Sequence, residues 1–130
     1  MKNFSLVARL LLGLLFVLSG SMHFLRSLPP GPLPPGPESQ FMTALGTTGY
    51  MHVVAGIEVA GGLLLVIGQF LPLGLTMLAP VIVNIALFHL LIEHRGLLGI
   101  FVLVALWLIA AWRARTSFYP LLQQRIPKEP

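Results

Sequence analysis

Four apolar runs divide the chain: Phe4–Phe24, Tyr50–Gly68, Leu73–Ile92 and Leu97–Trp112. Crossing the roughly 30 Å hydrocarbon layer of a bilayer takes about 17–25 apolar residues in a helix. The first three runs reach that length, and the fourth does so once Gly96 and Arg113 extend it. Inside hydrocarbon every backbone N–H and C=O needs a partner within the protein, so such runs are helices. Composition agrees, because 56% of the residues are hydrophobic and only 9% are charged. A water-soluble domain carries about 25% charged residues, so this chain cannot clothe a water-facing surface. The expectation is all-α, a membrane-embedded antiparallel four-helix bundle in a single domain spanning 1–130. Its helices run over about 4–25, 50–69, 73–92 and 96–113, with an outer loop at 26–49 and a tail at 114–130.

The first run has a basic start and small residues at Ser19–Ser21, like a secretory leader. Arg9 interrupts its apolar part and the run is long for a leader, so it reads as an uncleaved helix. The formal charge of +4 bears on orientation rather than on nucleic acid, and no nucleic-acid partner is expected. Four spans put both termini on one side, with Lys2, Arg9, Arg113, Arg115, Arg125 and Lys128. The other side holds Arg26 and Arg95. Six basic residues against two place both termini in the cytoplasm. The chain has no cysteine, which removes disulfides, thiolate metal sites and CxxC redox chemistry.

The connections are unequal. Spans two and three join through a tight turn at Gln69–Pro72, and spans three and four through Glu93–Gly96, so these are antiparallel neighbours. The loop between spans one and two is long. Its first half, PPGPLPPGP, favours extended polyproline II. Its second half suits a short interfacial helix over Glu38–Leu45, with Pro37 at the first helical position and Gly46 as the stop.

The polar residues inside the runs converge in depth. Glu58 lies eight residues into its span from Tyr50, and Asn84 eight residues from the exit at Ile92. Both therefore sit roughly 12 Å deep on adjacent helices. His23, His52 and His89 lie nearer the outer surface. Convergence in angle is not implied, since Asn84 and His89 differ by about 140° around a helix. Glu58 is the centre of the candidate site, because a carboxylate deep in a bilayer is a functional candidate by default. Asn84, His89, His23 and His52 are its candidate companions for ligand binding. Each also has a plain structural alternative. Asn84 suits a hydrogen bond between helices, and His89 suits a pair with Glu93 four residues on. His52 suits the wet interface. The small residues Ala55, Gly56, Ala60, Gly61 and Gly62 allow close helix approach, either within the chain or in a homo-oligomer.

Four segments carry a family resemblance: RLLLGLLFVLSGSMHF (Arg9–Phe24), Phe41–Tyr50, IEVAGGLLLVIGQFLPLGL (Ile57–Leu75) and APVIVNIALFHLLIEHRG (Ala79–Gly96). The most distinctive parts are Gly56–Leu63 around Glu58 and the order Ala79, Pro80, Asn84, Phe88, His89. The chain thereby resembles the DoxX-like family of small four-helix bacterial membrane proteins, over nearly its whole length through Trp112. The resemblance implies both termini inside and recurring positions at His23, Glu58, Pro80, Asn84 and His89. It also implies a place near redox chemistry, since the family includes membrane subunits linked to sulfur oxidation and quinone reduction, and others linked to thiol homeostasis. The lack of cysteine sets aside a role through the chain's own thiols. The PPGPLPPGP insert is a departure from the family pattern.

Two functions follow as expectations. The first is a redox-associated subunit that binds a quinone or similar apolar ligand in an outer-half polar pocket. The second is a non-catalytic scaffold whose Pro-rich loop docks a membrane or periplasmic protein. A metal or haem is not expected. His23, His52, His89 and Glu93 have suitable chemistry, but no pair shows an HxxxH spacing. There is no nucleotide-binding loop and no nucleophile constellation, which points to an accessory or ligand-binding subunit rather than an enzyme acting alone.

Overall fold

A computed structural model describes residues 2–26 and 31–124, and every regular element in them is helical. The helices are α1 (Lys2–Leu25), α2 (Pro37–Thr47), α3 (Tyr50–Ile67), α4 (Leu71–Phe88) and α5 (Leu97–Arg113). A π-helical turn, His89–Glu93, continues α4, and a 3-10 segment, Arg115–Leu122, follows α5. Pro29 and Pro30 of the Pro-rich stretch, and Arg125 and Lys128 of the tail, lie outside the described residues.

Three helices are each long and apolar enough to cross a membrane: α1, α3 and the continuous Leu71–Glu93. The 17-residue α5 meets that standard only together with the 3-10 segment, which bends away from it by 80°. At about 1.5 Å per residue α5 is roughly 26 Å long, close to the hydrocarbon thickness. Trp112, in its last turn, suits the membrane boundary and carries Arg115 stacked 5.0 Å above its ring.

The all-helical bundle expected from the apolar runs is what forms. α1 packs on α3, α3 on α4, α4 on α5, and α5 closes the ring against α1. Each helix contributes a narrow buried stripe. On α1 it is Ala8, Leu12, Phe16 and Gly20, one residue every four. On α3 it is Ala55, Glu58, Gly62 and Leu65, the three-four alternation of a packed bundle seam. On α4 Leu75, Leu78 and Ile82 continue the pattern. The opposite faces, such as Leu11, Leu15 and Leu18 on α1, are exposed, as lipid-facing positions are.

The α1–α3 contact is the closest. A Cβ added at Gly62 would lie 2.7 Å from the Gly13 carbonyl oxygen, and one at Gly20 would lie 2.6 Å from that of Ala55. The backbones touch, which only glycine permits at these sites. At one end of this seam the Arg9 guanidinium rests on Gly68, where a Cβ would fall 2.7 Å from Nη1. At the other end His23 lies against His52, the ring centroids 4.9 Å apart. These ends are called the basic end and the histidine end. A single indole bond ties α5 across the bundle, as Trp107 Nε1 donates to the Leu75 carbonyl at 3.0 Å.

The short helix between α1 and α3 forms from Pro37 at its first turn, but it does not stop at Gly46. Gly46 stays helical, and the chain reverses at Gly49, whose φ is 74°. Reversal into α3 needs the left-handed region, which Gly49 enters without a Cβ clash. Phe41 anchors α2 to the histidine end by stacking on Phe88 at 5.2 Å.

The seam makes a checkable contrast. Gly62→Ala should destabilise the protein by about 1–3 kcal/mol, the usual cost of overpacking. Gly56→Ala, whose new methyl group meets nothing within 4 Å, should be neutral or slightly stabilising. Thermal melts in detergent micelles followed by circular dichroism separate the two.

Candidate functional site

Glu58 is buried, with 6% of its surface accessible, and it is the buried charged residue among those described. Its position follows from the stripe it shares with Ala55 and Gly62, which turns it toward α1. Opposite it stands Gly20, where an added Cβ would come within 3.2 Å of the Glu58 Cβ. The missing side chain at Gly20 is therefore what makes room for the carboxylate. Ser19, next in sequence, places a hydroxyl near the carboxyl. A neutral donor is the cheap way to satisfy a carboxylate in this setting, since an unpaired buried charge is costly.

One turn along α1 from Gly20 comes His23. Its Nε2 is buried and has no hydrogen-bond partner among the described residues. Its ring meets the His52 ring edge to face, at an interplanar angle of 78°, and Phe24 lies 5.9 Å from His52. His52 itself is exposed at the start of α3. The α1–α3 seam thus brings Ser19, His23, His52 and Glu58 into one strip at the histidine end.

His89 belongs to a second group. Its Nδ1 donates to the Ile85 carbonyl at 2.9 Å, and its Nε2 lies 3.1 Å from Glu93 Oε2. The π-helical turn closes with the His94 N–H on the His89 carbonyl at 2.8 Å, and His94 reverses the chain at φ 57°. A carbonyl can only accept, so Nδ1 carries a hydrogen. The contact from Nε2 to the carboxylate then needs one further proton, on the ring or on Glu93. With that second proton on the ring the contact is an ion pair. Gly96 closes over this ring, its would-be Cβ only 3.5 Å from the imidazole carbon Cδ2.

Asn84 is not brought to either group. It is exposed on the lipid-facing side of α4, off the buried stripe of Leu75, Leu78 and Ile82. Of the small residues on α3, Ala55 and Gly62 meet α1 and Gly61 meets Leu78 of α4, whereas Gly56 and Ala60 face outward. Ser19 is the group that sequence reasoning missed. The signal was there, in a Ser-Gly pair one turn before His23 on a helix otherwise rich in leucine. Among the described residues no three His, Asp or Glu side chains are grouped to hold a metal ion.

The model of the family described as DoxX matches residues 4–90. That span runs from α1 into the π-helical turn and includes His23, His52, Glu58, Asn84 and His89. No curated protein and no solved structure matches the chain.

The His89–Glu93 contact predicts a spectroscopic signature. Nitrogen-15 spectra of the intact protein should show the proton between Nε2 and Glu93. Glu93→Ala should convert His89 to the simple neutral Nδ1–H tautomer with the helix content unchanged. An unaltered His89 spectrum would mean the pair does not share a proton.

Proposed function

This chain belongs to the DoxX family, and we propose that it is a redox-associated membrane subunit that binds a quinone or a similar apolar ligand at its histidine end. The observation that carries this reading is the buried, unpartnered Nε2 of His23 on the same seam as the buried Glu58. Buried polar groups are normally hydrogen-bonded, and an exception asks for a missing partner. A quinone fits such a group. It has a flat apolar body that enters from lipid and two carbonyl oxygens that need donors.

Each residue has a role in this reading. His23 donates from Nε2 to one ligand oxygen. The exposed Phe24 and His52 offer aromatic faces to the ring. Glu58, with Ser19 beside it, holds a proton at a carboxyl oxygen within the membrane. A bound quinone would supply two-electron redox chemistry, with the electrons arriving from a partner subunit's redox centre. In this reading the basic end faces the cytoplasm of a bacterial inner membrane. Lys2, Arg9, Arg113 and Arg115 lie at that end, against Arg26 and Arg95 at the other.

A second reading rests on Asn84. A carboxamide turned toward lipid finds its hydrogen bonds in another helix, which favours a scaffold that binds a membrane partner or a second copy of itself.

The two readings separate experimentally. A short-chain quinone should raise the melting temperature of the wild type, and Glu58→Gln and His23→Phe should each abolish the rise. Asn84→Leu should leave it intact. If instead no quinone stabilises the protein and Asn84→Leu shifts its mass by native mass spectrometry to a smaller assembly, the scaffold reading stands.

A further inference from the structure

The opposite end of the bundle holds a cavity of about 530 Å³ that the histidine-end reading does not use. Lys2, Ser5 and Arg9 of α1 line it, with Arg113 at the end of α5 and Thr116 and Ser117 of the 3-10 segment. Three cations thus converge on one cavity. Their acidic counterparts are elsewhere, since Glu38, Glu58 and Glu93 all belong to the histidine half of the described residues. Arg9 shows the imbalance most clearly. Its guanidinium is pressed on Gly68, and its Nε is buried with no hydrogen-bond partner among the described residues. Leu71 and Pro72, the first residues of α4, form another part of the wall, and no side chain caps that helix start. Pro72 has no N–H to offer, but the Leu71 N–H and the positive end of the helix dipole there favour an anion.

A second cavity, about 540 Å³, adjoins the first and shares Lys2, Ser5 and Arg113 with it. Its remaining wall is Arg115 and an apolar surface made by Phe4 of α1 with Leu108, Ile109 and Trp112 of α5. Leu108 and Trp112 are exposed on the lipid-facing side. A basic chamber at the membrane boundary therefore continues into an apolar groove that runs down between two helices.

We propose that this end binds one anionic phospholipid, with its phosphate among Lys2, Arg9 and Arg113 and an acyl chain along the α1–α5 groove. The shared chemistry is that of a phosphate group, which a free phosphate ion also offers. The groove favours the lipid, because only a lipid fills both chambers. Basic pockets between membrane helices are suited to such headgroups. Arg113 and the 80° bend behind it place the chamber at headgroup depth.

Native mass spectrometry of the full chain in detergent, titrated with phosphatidylglycerol, phosphatidylcholine or inorganic phosphate, tests this. Phosphatidylglycerol should be retained in preference to phosphatidylcholine. Lys2→Gln and Arg113→Gln should each weaken it about fivefold, the effect of removing one surface-level charge. Leu108→Trp, which fills the groove at an exposed site, should weaken phosphatidylglycerol but not phosphate. Circular dichroism confirms that each variant folds. Equal retention of both lipids, or indifference to the charge removals, overturns the proposal. Phosphate binding as tight as that of phosphatidylglycerol, with Leu108→Trp without effect, overturns the lipid assignment in favour of a free anion.

Discussion

Helices already in hydrocarbon gain nothing by hiding leucine from lipid, so their association depends on how closely they can approach. Here the closest approach is between α1 and α3. Gly13 and Gly20 meet Gly62 and Ala55 across backbones that touch. Other features of the fold lean on this contact. It sets the seam along which Phe16 and Leu65 are fully buried, and it gives α4 and α5 a fixed surface to complete the ring. It also creates the site. The same absence of a side chain at Gly20 that lets the helices meet leaves the space facing Glu58.

Polarity in this bundle is divided by sign. The described carboxylates and the histidines gather in one half, and most of the arginines in the other. The middle of the bundle is left to Leu12, Phe16, Leu65, Leu75 and Leu78. Such separation keeps ionisable groups within reach of the two boundaries, where their cost is lowest. Glu58 is the exception, and Ser19 and Gly20 are what make the exception tolerable. The π-helical turn serves the same end. At its head His89 bonds back to Ile85 and forward to Glu93.

Depth was legible in the sequence, and angle was not. Run lengths and a fixed rise per residue place Glu58, His23 and His52 at the right end of the molecule. The turn chemistry of Pro37 likewise marks the start of α2. The outward orientation of Asn84 was hidden, because the stripe that packs on a neighbour is chosen by tertiary fit among several apolar faces. Leu75 and Leu78 won that choice on α4. The stop at Gly49 rather than Gly46 was hidden for a related reason. Both glycines permit reversal, and in the folded chain it is Gly49 that takes the left-handed φ of 74°. The basic chamber could not be read at all. Its walls come from α1, α4, α5 and the segment beyond it, which are far apart in sequence.

The two ends of the α1–α3 seam act together as a gauge. Fourteen positions separate Arg9 from His23 on α1, and sixteen separate His52 from Gly68 on α3. These are matched spacers of roughly 21 and 24 Å. Helical phase makes the match strict, since one residue added between Arg9 and His23 turns one contact about 100° away from the other. Evolution can therefore change the identity of lipid-facing residues here freely, and can lengthen or shorten the loop after α1, but insertions and deletions inside the seam are closed to it. The Pro-rich stretch, lying just outside that gauge, occupies the part of the chain between α1 and α3 where length carries no such phase penalty.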